Sequence, residues 1–238
     1  MGICEYVFLY GGEWELEMTR ITDRSIWNET IKELRAVMPK PAAHEKATDM
    51  LLSLHGAMHS AKMDAAISWS YEDEVLDDMP EMAFRRIPKP GVNSVAWHIY
   101  HSTRIEDIAM NTLAAGRTQL YDEGWSGRLN IPFRDTGNGM NDDKLRRLSS
   151  ELDFAAIRDY RTAVGRRTRE IIASLQPGDY KRKVDHARIK QVEDQEDVVP
   201  EAHWLLDYWG NLTVSGLFLM PATRHLIVHL NKAQKLKK

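Results

Sequence analysis

The most continuous apolar stretch lies near the end of the chain: Leu217-Phe218-Leu219-Met220-Pro221-Ala222-Thr223-Arg224-His225-Leu226-Ile227-Val228-His229-Leu230. It is apolar on nearly every side of a helix, which predicts a central, buried helix reaching about residue 235. Pro221 removes one backbone donor and predicts a bend there. Upstream, Leu152, Ile157, Tyr160, Val164, Thr168, Ile171 and Leu175 recur at helical spacing and predict a helix over about 150–175, stopped by Pro177-Gly178. Val95, His98, Ile99, Ser102, Ile105, Ala109 and Leu113 predict another over about 94–115, capped by Asn93 or Ser94 and ended by Gly116. Ala47, Met50, Leu51, Leu54, Met58, Ala61 and Ala65 predict a fourth over about 43–68.

Shorter elements fill the gaps. Residues 5–18 alternate around Gly11-Gly12 like a hairpin. An amphipathic helix comes next over about 23–38, with Asp23 as its cap and Pro39 and Pro41 ending it. Ser70 caps a short helix through Leu76, and Arg85 to Gly91 reads as a loop. Residues 179–199 are strongly charged and read as an exposed loop with a short strand or turn, and 200–209 begin a helical segment that Gly210 or Asn211 interrupts. Residues 117–140, with Gly124, Gly127, Pro132, Gly137 and Gly139, form a long connection of the kind a crossover needs. Four substantial helices joined in this way predict an all-α four-helix bundle of up-down-down-up topology, crossing over between its second and third helices. Residues 1–42 form an N-terminal extension and residues 43–238 the bundle domain.

Composition narrows the class. The 238 residues are 43% hydrophobic and 28% charged, enough to bury a full core. The net charge of -3 provides no basic footprint, so nucleic acid is not an expected partner. Cys4 is the single cysteine, which excludes an internal disulfide and a CxxC zinc site and fits a reducing, cytoplasmic setting. No apolar run is long enough to predict a membrane span, and the first residues do not read as a secretory leader.

The histidines carry the candidate chemistry. Six of nine fall into helix-spaced pairs: His55/His59, His98/His101 and His225/His229. Spacing of i,i+4 stacks two imidazoles on one helix face and offers a metal two nitrogens. Hydrogen-bonded core histidines are the alternative reading of each pair. Periodicity places both His98 and His101 roughly inward and does not choose between them. Arg104 and Arg224 fit salt bridges within the bundle better than anion binding. Glu106 and Asp107 read as solvated or capping carboxylates.

Two of these stretches, Ser94-Val95-Ala96-Trp97-His98-Ile99-Tyr100-His101-Ser102-Thr103-Arg104-Ile105-Glu106-Asp107 and Pro221-Ala222-Thr223-Arg224-His225-Leu226-Ile227-Val228-His229-Leu230-Asn231, resemble the second-helix and last-helix motifs of the DinB-like superfamily. That group includes damage-inducible proteins and thiol-dependent transferases. The resemblance spans about residues 43–238. It implies that His101, His225 and His229 hold one divalent metal ion (zinc, nickel or iron); with no sulfur ligand and an open position, such a site should tolerate zinc, nickel or cobalt and be lost as the imidazoles protonate below about pH 6. His59 and His98 are then candidates for supporting positions. An implied activity is metal-dependent transfer or hydrolysis with a small-molecule substrate, a low-molecular-weight thiol among the candidates. The alternative is a non-catalytic metal-binding or interaction protein. The family also implies a homodimer, for which Trp204, Leu205, Tyr208 and Trp209 are a candidate surface, with packing against the bundle as the alternative reading.

Overall fold

Residues 21–237 are described by the structure, a computed structural model. The hairpin expected over 5–18 lies outside them. Helix α1 runs Arg24–Val37, and the Asp23 carboxylate accepts from the Ser25 and Ile26 amides at 2.8 and 3.2 Å. This satisfies two of the donors that every helix start leaves unpaired. Helix α2, His44–Ala57, is shorter than the expected 43–68. Gly56 weakens its last turn, and Ser60 caps a separate 3-10 turn at Ala61–Met63. Ala61 and Ala65 keep the helical spacing without continuing the helix: one is half-buried and the other exposed.

Helix α3, Tyr71–Leu76, has the expected Ser70 cap, and α4, Glu81–Arg85, starts after Pro80. Helix α5 runs Val95–Asp107, with Ser94 Oγ accepting from the Trp97 amide at 3.1 Å. It continues as a π-helical segment, Ile108–Ala115, and stops at Gly116, whose φ of +66° suits glycine.

The long connection contains α6, Glu123–Leu129, and leads to α7, Asp142–Glu151. Helix α8, Phe154–Ser174, starts only after Asp153, which caps it. The single helix expected over 150–175 is therefore preceded by a second, separate one. Residues 179–199 are not an exposed loop. They hold α9, His186–Asp194, and bury Val192 and Asp197 completely. Helices α10, Trp204–Gly210, and α11, Val214–Leu219, lead into a π-helical segment, Met220–Arg224, and then α12, His225–Leu236. The described residues are all-helical, with one isolated bridge between Lys183 and Thr213.

Side-chain pairs set the directions. His98 meets His229 and His101 meets His225, so α5 and α12 run antiparallel. Ser102 meets Arg161 while Glu106 meets Thr168, so α5 and α8 run parallel. Met58 beside α2 meets Arg161 and Leu52 meets Arg169, so α2 opposes α8.

The central helix is α5, not the 217–230 stretch. Every residue of α5 is buried, whereas Arg224 is exposed and Val228 is 38% exposed. Apolar composition measures what a helix can bury, but α5 is buried because each of its polar groups finds a partner. Arg104 donates to the Arg134 carbonyl (2.9 Å), Tyr160 (2.9 Å), Asp107 (3.2 Å), Gln119 (2.8 Å) and Asp197 (3.1 Å). Asp107 accepts from the Leu120 and Tyr121 amides at 3.0 Å and from Asn111 at 2.7 Å. Glu106 is equally enclosed. The expectation that Glu106 and Asp107 are solvated or capping fails, because both point into clusters assembled from distant elements.

Arg104→Ala would leave Asp107 and Asp197 buried without their shared cation. The expected loss is about 3–5 kcal/mol of unfolding free energy, measured by urea denaturation.

Candidate metal centre

One face of α5 and the first turns of α12 converge. His225 opens α12 and His229 lies one turn on, while His101 comes from the facing α5. The ligand-capable atoms of the three lie within 4.8 Å of one another. His101 and His229 are buried and His225 is partly so.

The tautomer of His101 is set by its neighbour. Its Nδ1 lies 2.6 Å from the Thr136 carbonyl, which can only accept, so Nδ1 carries the proton and Nε2 presents a lone pair. That Nε2 is 3.1 Å from the Nε2 of His225. Two nitrogens on one tetrahedral ion would stand about 3.3 Å apart, given metal–nitrogen bonds of about 2.0–2.1 Å. The observed spacing fits a shared cation. The Nδ1 of His229 meets Nδ1 of His98 at 2.9 Å, which leaves its Nε2 free. His98 thus touches the triad through His229, the kind of contact that orients a ligand ring.

Residues not expected from the sequence complete the setting. Trp97 stacks on His101 with ring centroids 4.3 Å apart and planes 12° from parallel, and its indole donates to the Gly137 carbonyl at 3.1 Å. Gly137 has φ of +80°, and a Cβ there would come 3.0 Å from the indole nitrogen. The loop residues Phe133 and Asp135 also offer their carbonyls to Tyr100, at 3.0 and 2.8 Å. Only its glycines and Pro132 marked this loop in the sequence. Its hold on α5 operates across some three dozen residues and leaves no local pattern.

Two members of the triad, His101 and His225, border a pocket of about 290 Å³. His101 and His225 form part of its wall with Ile105, Trp209, Met220 and Pro221, and Trp204 and Tyr208 stand at its exposed side. Asn138 and the Tyr208 hydroxyl add polar groups to the histidines, and no charged side chain lines it among the described residues.

A second cluster occupies another side of α5. His55 and His59 place their Nε2 atoms 2.8 Å from Oε1 and Oε2 of Glu106, and the Thr168 hydroxyl donates to Oε1 at 2.8 Å. His55, His59 and Glu106 also form a set with ligand atoms within 4.8 Å of one another.

Burial holds the triad uncharged. It lowers His101 to about 4, against the Thr136 hydrogen bond and with help from the Lys232 charge. It lowers His98 to about 3, with Lys232 and His101 adding to the effect. His225 and His229 are also pushed well down, by burial first and then by neighbouring histidines. Neutral imidazole is the form that binds metal. The ligand form therefore persists below the pH 6 expected from unperturbed histidine.

These depressed values fix the sign of the linked stability. Unfolded histidine protonates near 6.5, so between about pH 6.5 and 4 the unfolded chain binds more protons than the folded one. Stability present above pH 6.5 should fall as pH drops through this window. For chelator-treated protein the expected loss at pH 4.5 is about 2 kcal/mol from His101 alone, read from urea unfolding at the two pH values.

No curated protein matches the chain. Residues 66–231 match the family model of the DinB superfamily, a stretch that begins after α2 and contains His101, Glu106, His225 and His229. The chain belongs to the DinB superfamily.

Proposed function

We propose that this protein is a metal-dependent transferase or hydrolase that binds one divalent ion through His101, His225 and His229, with a low-molecular-weight thiol as cosubstrate. The observation that carries this reading is the pair of Nε2 atoms 3.1 Å apart in the wall of an apolar pocket, with one ring fixed by Thr136. Three neutral imidazoles leave coordination positions open, as catalytic sites do. A bound zinc, nickel or iron ion would lower the pKa of a coordinated thiol or water.

The chain's own residues would do the rest. Thr136 and Trp97 hold the His101 ring in position. His98 steadies His229. Trp204, Tyr208 and Ile105 exclude water and receive the apolar part of a substrate. In this reading α2, α5, α8 and α12 trace an up-down-down-up path with 117–140 as the crossover. The parallel register of α5 and α8, and the antiparallel registers of α5 with α12 and of α2 with α8, support it. We also propose a homodimer. Trp204 and Tyr208 remain 58% and 39% exposed, while Leu205 and Trp209 pack inward.

The test is a titration of cobalt-loaded protein with small thiols, monitored by visible absorption. A thiol-dependent band shift is expected, lost in His225→Ala and His229→Ala and only weakened in His98→Ala. No shift in the wild-type protein would favour a non-catalytic metal-binding role. A shift unchanged in His225→Ala would remove the triad from the site.

A further inference from the structure

The cluster around Glu106 has no role in the chemistry proposed for the triad. His55 lies in the last turns of α2, His59 just beyond its end, Glu106 on α5 and Glu72 on α3, and all four are completely buried. Among the described residues the hydrogen-bond partners of Glu106 are His55, His59 and Thr168, with no lysine or arginine. The nearby cation, Arg161, is spent on Glu72, Ser102, Thr103 and the Met58 carbonyl. A carboxylate sealed from water needs a compensating charge.

Proton placement points the same way. If His59 donates from Nε2 to Glu106, its Nδ1 lone pair faces the Glu72 carboxylate 3.9 Å away with no proton between them. The Nδ1 of His59 and of His55 and the Oε1 of Glu72 have no hydrogen-bond partner. An ion on the two Nε2 atoms reverses the arrangement. The His59 proton then sits on Nδ1 and faces Glu72, the carboxylate–histidine–metal relay common around bound metals. Space has been left for this ring: a Cβ on Gly165 of α8 would come 2.7 Å from His59 Nδ1.

We infer that His55, His59 and Glu106 form a second divalent-metal site, structural in kind and suited to a zinc-class ion. Two imidazoles and a carboxylate match the borderline preference of Zn²⁺. Complete burial leaves no path for substrate, so the ion ties α2 to α5 inside the bundle and offsets the Glu106 charge. His55 and His59 precede the residues matched by the family model, whereas Glu106 lies within them.

The experiment uses the full chain, refolded with excess zinc and desalted, with zinc per chain measured by mass spectrometry. The comparison is with His225→Ala/His229→Ala, which leaves the inner cluster untouched. Two equivalents in the wild type and one in the double variant are expected, the retained ion having only nitrogen and oxygen neighbours by X-ray absorption. Adding His59→Gln to that background, with folding checked by circular dichroism, should remove the last equivalent. One equivalent in the wild type and none in the double variant would overturn the second site and leave the triad standing. One in each would support the inner site and reject the triad. None in the wild type would reject both. Retention after His59→Gln would assign the ion elsewhere and overturn the inference.

Discussion

The constraint on which the structure depends is the complete burial of a polar helix. Helix α5 carries Ser102, Thr103, Arg104, Glu106 and Asp107 within six residues, together with His98 and His101, and none of them is more than 4% exposed. Each buried polar group left without a partner costs about 1–3 kcal/mol, and charged groups more. The surrounding chain is arranged to meet that demand. Ser102 and Thr103 turn back to the Ile99 carbonyl at 3.2 and 2.7 Å. The backbone at residues 120, 121 and 133–136 is bent toward Asp107, Tyr100, His101 and Arg104. The long connection over 117–140 is thus held to α5 by its own amides and carbonyls, and its course fixes the imidazole of His101.

The two π-helical segments belong to the same logic. Pro221 has no amide hydrogen, so α11 cannot continue unbroken into α12. The chain widens over Met220–Arg224, and the Thr223 hydroxyl donates to the Phe218 carbonyl at 3.0 Å. An extra residue per turn rotates the helix downstream of it, and α12 carries the His225/His229 face. The π-helical segment thus coincides with Pro221, where a bend was expected, and it directly precedes the His225/His229 face. The second segment, Ile108–Ala115, extends from the charged end of α5 to the Gly116 turn.

The parts of this fold that were legible in the sequence are those set by local periodicity and capping. The stripe from Leu152 to Leu175 is buried along its whole length, and Asp23, Ser70 and Ser94 cap where they should. The i,i+4 spacing of His225 and His229 put both on one helix, and both belong to the triad set. Helices α6, α7 and α9 were hidden because they are short and polar, although Asp122, Asn141 and Asp185 cap each of them in a standard way. The choice between His98 and His101 was not legible from spacing, since a helix buried on every side has no outer face for comparison. What distinguishes them is Thr136 against one and His229 against the other. The fates of Glu106, Asp107 and Asp197 were illegible for the same reason, as their partners lie on other elements.

Helix α5 also relates the two histidine clusters. His101 and Glu106 are five residues apart, which at about 100° per residue separates their side chains by about 140° around the axis. One therefore faces α12 and the pocket while the other faces α2 and α8. The separation is too short for electrical independence. The Glu106 charge raises the proton affinity of His225, and the Arg161 charge lowers it, within a shift dominated by burial. The two clusters thus share one helix and one electrostatic surrounding, although they face different sides of it.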